Sequence, residues 1–260
     1  MIATNRMKKK ITRGKPVVGM FVMFHCCAIV EIIGKAGFDF IVIDMEHGSF
    51  DMQSVENLTR AAEVAGITPI VRVPGNEATI ILRVLETGAK GVMVPHVDTA
   101  EEARKCVSAA KYAPVGARGA GYLTRAAGYF TSDPKTYCTQ ANNQTMIIGM
   151  IESEEGTKNI DAICSTSGMD AFFIGPYDLS QSLGHPGEVH LPAVEERIVR
   201  TAQSIQEKGY VAGIYVDNPD DAKKWLESGI QIIACGVDAL IFRNGCDSLR
   251  GEFEEIRGKK

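Results

Sequence analysis

Apolar runs alternate with amphipathic stretches from Val17 almost to the end of the chain. Short apolar runs, each followed by a helix-length segment with apolar positions three and four apart, are the mark of strand-helix units over a parallel sheet. Eight such runs lie at 17–24, 38–44, 67–73, 91–94, 146–151, 170–174, 210–216 and 231–237. Most are rich in Val, Ile and Phe, as strands covered on both faces must be. Glycine-containing joints precede several of them, as in Ala65-Gly66-Ile67 and Lys208-Gly209-Tyr210, where glycine can close a helix in a left-handed conformation. The count predicts an α/β fold of the (β/α)8 barrel type, one domain over 15–260 behind an N-terminal leader over 1–14.

In such a barrel the loops after the strands carry the chemistry. One connection, from about Tyr112 to Thr145, is unusually long and predicts a lid or binding loop. The last segment, Asp238 to Arg257, predicts either the eighth helix or a helix that leaves the subunit to pack on a neighbour.

The composition, 260 residues with 45% hydrophobic and 23% charged, allows a core of barrel size. A net charge of -4, with no basic block beyond Lys8-Lys9-Lys10, argues against a nucleic-acid partner, and that tripeptide reads as solvated. The longest apolar stretches, such as Val17 to Phe24, fall far short of the roughly 20 residues that span a bilayer, and no signal-peptide core follows Met1. A cytoplasmic protein without a membrane partner is expected. Seven cysteines without regular spacing fit a reducing compartment, and adjacent Cys26-Cys27 is not a CxxC pair.

Polar residues at the strand ends point to chemistry. The second run closes on Asp44-Met45-Glu46-His47-Gly48, three titratable side chains behind a buried strand. Asp44 could cap a helix, and His47 could be a structural histidine or a general base, since imidazole titrates near neutrality. The third run ends on Arg72, either an ion-pair partner for the loops or a fork for a substrate carboxylate. Glu152 and Asp178 follow the fifth and sixth runs, in Met150-Ile151-Glu152 and Gly175-Pro176-Tyr177-Asp178-Leu179-Ser180. Adjacent strands stand about 4.8 Å apart, so two such carboxylates either cap helices or share a hard cation such as Mg²⁺, Mn²⁺ or Co²⁺. No lysine sits desolvated at a strand end as a Schiff-base aldolase requires, and GxGxxG, Walker A, HExxH and GxSxG patterns are absent.

Taken with Leu85-Glu86-Thr87-Gly88-Ala89, Val94-Pro95 and Gly116-Ala117-Arg118-Gly119, these motifs resemble the class II pyruvate-dependent aldolases of the HpcH/HpaI family, whose members act on substrates such as 4-hydroxy-2-oxoheptanedioate and 2-dehydro-3-deoxyglucarate. The resemblance spans roughly residues 15 to 257 and implies a phosphoenolpyruvate/pyruvate-type barrel. It implies a divalent cation on Glu152 and Asp178, with waters near Asp44 and Glu46. Arg72 would contact the pyruvyl group, with Met150, Gly175 and the Tyr177 and Asp178 amides around it, and His47 would be the acid/base through a metal-bound water. Glu86 matches an aspartate that supports the histidine of a neighbouring subunit. The family's hexamer, a trimer of dimers that exchanges its last helix, would follow.

The chain departs from the family where Met150 replaces a common Gln, Glu86 replaces Asp, and Tyr177 replaces a small residue. The implied reaction splits a 4-hydroxy-2-oxo acid into pyruvate and an aldehyde, with oxaloacetate decarboxylation as a side reaction. The rival readings are a CoA-thioester lyase of the citramalyl or malyl type on a related barrel, and a non-aldolase barrel that binds a phosphate ester at Gly236-Val237-Asp238.

Overall fold

In the computed structural model, which describes residues 4–258, eight parallel strands close into a barrel in sequential order. The strands are β1 (Val17–Val22), β2 (Phe40–Asp44), β3 (Thr68–Arg72), β4 (Gly91–Val94), β5 (Met146–Ile151), β6 (Ala171–Ile174), β7 (Val211–Val216) and β8 (Ile232–Val237). Among the helices, α1 (Arg6–Ile11) precedes the barrel, and α2 (Cys27–Lys35), α3 (Met52–Ala65), α4 (Ala78–Glu86) and α5 (Ala100–Ala110) follow the first four strands. Then come α6 (Pro134–Gln144), α7 (Glu154–Lys158), α8 (Ile160–Ile163), α9 (Pro176–Ser182), α10 (Pro192–Glu207), α11 (Pro219–Glu227) and α12 (Asp238–Gly258).

Local chemistry sets these boundaries. Asp51 accepts from the Ser54 amide at the start of α3, and Gly66 ends that helix at φ 76°. Thr99 and Glu102 form a reciprocal capping box on α5. Pro134, Pro176, Pro192 and Pro219 begin their helices, where a missing N–H costs nothing.

Side chains alternate across the strand wall. One set, including Phe40, Val42, Ile70, Met93, Ile148 and Phe173, fills the barrel, while Ile41, Ile43, Val71, Ile147 and Ile174 pack under the helices. The interior is filled large against small: a Cβ on Gly19 would stand 2.5 Å from the Phe40 ring, and one on Gly213 2.6 Å from Phe173.

The segment expected as a leader is, from Thr4 onward, part of the fold. Met7 and Ile11, one helical turn apart, join the interior cluster and close the floor of the barrel. The Asn5 amide side chain donates to the carbonyls of Lys90 and Gln144, both at 3.0 Å. Lys8 pairs with Asp170 at 2.7 Å and Lys10 pairs with Asp39, so two of the three lysines read as solvated are tethers.

The connection after α5 is ordered rather than a lid over the cavity. Tyr112, Ala127, Tyr137 and Ala141 form their own small core, and Arg125 reaches the Thr87 carbonyl and Glu63, at the ends of α4 and α3. Among the described residues no helix is long and apolar enough to cross a membrane, and all seven cysteines are unpaired thiols.

Candidate active site

Asp44 and Arg72 are register partners at the ends of β2 and β3, so their side chains emerge at the same height. Arg72 grips Asp44 with a two-pronged fork, Nε to Oδ1 at 2.9 Å and Nη2 to Oδ2 at 2.6 Å, and its Nη1 lies 2.9 Å from Glu46. The Asp44 Oδ1 also accepts from the amides of Glu46 (3.1 Å) and His47 (3.3 Å). Asp44 therefore fixes the loop that carries His47, and Arg72 locks the loops, as its ion-pair reading expects, while also lining the cavity. His47 itself is exposed at the mouth.

Ile151 and Ile174 are partners at the ends of β5 and β6, which makes Glu152 and Gly175 neighbours on the rim. A Cβ on Gly175 would lie 2.6 Å from Glu152 Oε2, so only glycine lets this carboxylate lie across the end of β6. The next helix, α9, begins there, with Asp178 in its first turn. Gly175 occupies the cap position and no side-chain cap is made, so Asp178 is not a helix cap.

Glu152 is 2% exposed. Its Oε1 accepts from the His96 amide at 2.8 Å, but its Oε2 is buried without a hydrogen-bond partner. Burial pushes its carboxyl up to about 7; the charges of Asp178 and Glu46 add to this, while the His96 amide and ring oppose it. A buried carboxylate oxygen with no donor, near enough to a second carboxylate to feel its charge, fits a hard cation. Among the described residues no three His, Cys, Asp or Glu side chains converge on one point. The protein would thus supply two carboxylates and leave the other positions to water and substrate oxygens, as Mg²⁺-like ions prefer.

A cavity of about 310 Å³ opens over this rim, lined by Asp44, His47, Arg72, Met150, Gly175, Tyr177 and Asp178 among others. Seven of the residues singled out in the sequence are thus brought together; Glu152 and Glu46 sit just behind the lining. Glu86 is not among them. It lies at the far end of α4, where strands begin, and pairs with Arg118 at 2.8 Å, so within one protomer it does not reach His47.

Sequence reasoning passed over His96, held at φ 52° with Nδ1 3.3 Å from Glu152 and Nε2 3.7 Å from Glu46. A non-glycine residue at positive φ behind Val94-Pro95 is where strain collects at functional sites. It also missed Phe21, Phe173 and Tyr215, because an unbroken apolar run does not reveal which face is inward. The Tyr177 hydroxyl, where the family has a small residue, donates to Asp217 at 2.7 Å.

Two alternatives lose ground. Lys111 is desolvated, its ammonium drawn down to about 8 by burial, but it donates to the carbonyls of Asn142 (2.8 Å) and Thr145 (2.6 Å) away from the cavity. Among the described residues no lysine lines the cavity. At the end of β8 the Asp238 carboxylate accepts from the Met23 and Phe24 amides at 2.9 and 3.0 Å, so the proposed phosphate nest already holds an anionic group.

With this geometry in view, comparison with known proteins points to one family. A family model described as HpcH/HpaI aldolase/citrate lyase matches residues 17–245. A hydroxypyruvate/pyruvate aldolase of Roseobacter denitrificans is 34% identical over 252 residues, 96% of this chain and 98% of that protein. A 5-keto-4-deoxy-D-glucarate aldolase of Salmonella arizonae is 34% identical over 254 residues, 98% of each. The crystal structure of an HpcH/HpaI aldolase/citrate lyase family protein from Burkholderia cenocepacia shares 30% identity at a TM-score of 0.89, covering 98% of this chain and 100% of that one.

Proposed function

The chain belongs to the HpcH/HpaI aldolase/citrate lyase family and is a carbon–carbon lyase, and from that premise we propose that it reversibly cleaves a 4-hydroxy-2-oxo acid to pyruvate and an aldehyde with the help of a divalent cation. The observation that carries the metal dependence is the buried, donorless Oε2 of Glu152 beside Asp178. Bound between these carboxylates, Mg²⁺, Mn²⁺ or Co²⁺ would act as a Lewis acid on the 2-oxo group.

The chain's own residues do the rest. Arg72, already oriented by Asp44 and Glu46, turns its remaining N–H groups to the pyruvyl carboxylate, and the amides of Tyr177 and Asp178 assist. His47 takes the proton of the 4-hydroxyl. The C3–C4 bond breaks, its electron pair passes to C3 and onto the 2-oxo oxygen, and the aldehyde leaves. Protonation at C3 then gives pyruvate. Oxaloacetate decarboxylation uses the same electron sink.

The test is pyruvate release from 4-hydroxy-2-oxo acids before and after complete removal of divalent metal. Release is expected only with Mg²⁺, Mn²⁺ or Co²⁺ present, and undiminished release after chelation would exclude the metal-dependent route. His47→Ala should lower kcat by about 10²–10⁴-fold, the usual worth of a general base. Its metal affinity, read by calorimetry, should match wild type; full turnover in this variant would remove His47 from the mechanism.

The exposed face of α12 supports the assembly that the family resemblance implies. Beyond Ala239 this helix is exposed throughout, with Ile241, Phe242, Leu249, Phe253 and Ile256 each more than half exposed. An apolar stripe of this size calls for a partner, and exchange between copies in a hexamer, a trimer of dimers, covers it. Sedimentation should show that species, and a chain ending at Val237 should sediment as a smaller one; a monomeric full chain would refute the exchange.

A further inference from the structure

The cavity has two unlike poles. The carboxylates, Arg72 and His47 line one; Phe21, Met23, Phe173, Tyr177, Tyr215 and Val237 line the other. On the reading above the pyruvyl half occupies the ionic pole, which leaves the second pole for the aldehyde half.

Two tyrosines should make that wall polar, but their hydroxyls are engaged elsewhere. The Tyr177 Oη donates to Asp217 Oδ2 at 2.7 Å and the Tyr215 Oη to Asp217 Oδ1 at 3.1 Å. A phenol has a single proton to donate. Asp217 does not line the cavity; it lines a smaller pocket behind it, so the hydroxyls point outward and the wall presents ring carbon. Phe21 meets Tyr215 and Phe173 edge-on, with ring centroids at 5.8 and 6.3 Å, which fixes the aromatic surface in place.

Charge points the same way. Among the residues lining the cavity Arg72 is the sole lysine or arginine, and its N–H groups are divided between Asp44, Glu46 and, on the reading above, the pyruvyl carboxylate. A second carboxylate at the far end of a substrate would lie unpaired against apolar rings, with Asp217 behind them.

We propose that the Tyr177–Asp217–Tyr215 clamp sets the specificity of the reaction, so that this protein takes uncharged aldehydes with apolar or aromatic substituents in preference to polyhydroxylated or carboxylated ones. This rests on the aldolase reading and deepens it. In the synthetic direction C3 of the pyruvate enolate bonds to the aldehyde carbon, the carbonyl π pair moves to oxygen, and that oxygen takes up the proton equivalent to the one lost from C3. No other reactant is needed.

The experiment measures kcat/KM in the presence of Mn²⁺ for pyruvate with benzaldehyde, propanal, glyceraldehyde and succinic semialdehyde. The first two should exceed the last two by at least about tenfold, the scale on which pockets discriminate. Asp217→Ala frees both hydroxyls to turn inward, and the glyceraldehyde-to-propanal ratio should rise at least about fivefold; the near-isosteric Asp217→Asn, which guards against a folding defect, should move it in the same direction. Preference for glyceraldehyde or succinic semialdehyde in the wild type, or an unmoved ratio in a folded Asp217→Asn protein, overturns the clamp. Metal-dependent deuterium exchange at the pyruvate methyl separates the two levels. Exchange without turnover of any of the four aldehydes refutes the specificity proposal alone, whereas loss of exchange refutes the aldolase reading and the proposal with it.

Discussion

Glu152→Gln is expected to lower metal-dependent cleavage by about three orders of magnitude, or about 4 kcal/mol of transition-state stabilisation, because a neutral amide is a poor ligand for a hard cation. The same substitution should stabilise the metal-free protein. The carboxyl of Glu152 sits near 7 in the fold, above its ordinary value of 4.5, so the folded state disfavours its ionised form. That penalty is absent below the ordinary value, grows as pH rises between the two, and is complete above 7.

Glutamine carries no such charge. Metal-free Glu152→Gln should therefore be more stable than wild type at pH 8 by on the order of a few kcal/mol, and unfold at a higher temperature, with the gap closing toward pH 5. Added Mn²⁺ should raise the melting temperature of wild type and leave the variant unmoved. A variant that keeps its metal-induced shift would show that the cation binds elsewhere.

Arg72→Ala should act in the opposite direction on stability. It leaves Asp44, 2% exposed, and Glu46 without their cation, and breaking a buried pair in this way costs about 3–5 kcal/mol. Arg72→Lys keeps the charge but loses the fork, so most of the stability should return without the orientation of the 2-oxo acid. In denaturant titration the order should be wild type, lysine, alanine; in steady-state kinetics both variants should show a raised KM for the 2-oxo acid. Adding Asp44→Asn to Arg72→Ala should recover part of the lost stability, because the orphaned charge is then gone. Equal midpoints for wild type and Arg72→Ala would mean that the fork contributes nothing to the fold.

Much of this was legible in the residue pattern because parallel strands buried on both faces leave near-continuous Val and Ile runs, and any polar residue that ends such a run stands out. Asp44, Arg72 and Glu152 are residues of that kind. The strand limits were read within two residues. The one overrun with an identifiable cause is β1, expected to reach Phe24 and ending at Val22, because Asp238 takes the next two amides.

What was not legible depends on partners distant in sequence. His96 follows a proline and reads as loop until β5 brings Glu152 beneath it, 56 residues away. Asp217, ahead of Asn218-Pro219, reads as part of a helix start, and only the fold shows two phenols meeting it. Lys8 and Lys10 read as solvated because Asp170 and Asp39 lie far along the chain; the apolar pair Met7 and Ile11, in contrast, was a local signal of a packed helix.

The floor helix α1 also imposes an order in time. Its residues leave the ribosome before the strands it closes, yet the Asn5 backbone and side chain are held by Gln144, 139 positions later, and Lys8 is held by Asp170. This helix must therefore wait, its apolar face unanswered, until Asp170 has been synthesised, and the floor of the barrel closes on a chain whose upper rim is already half assembled.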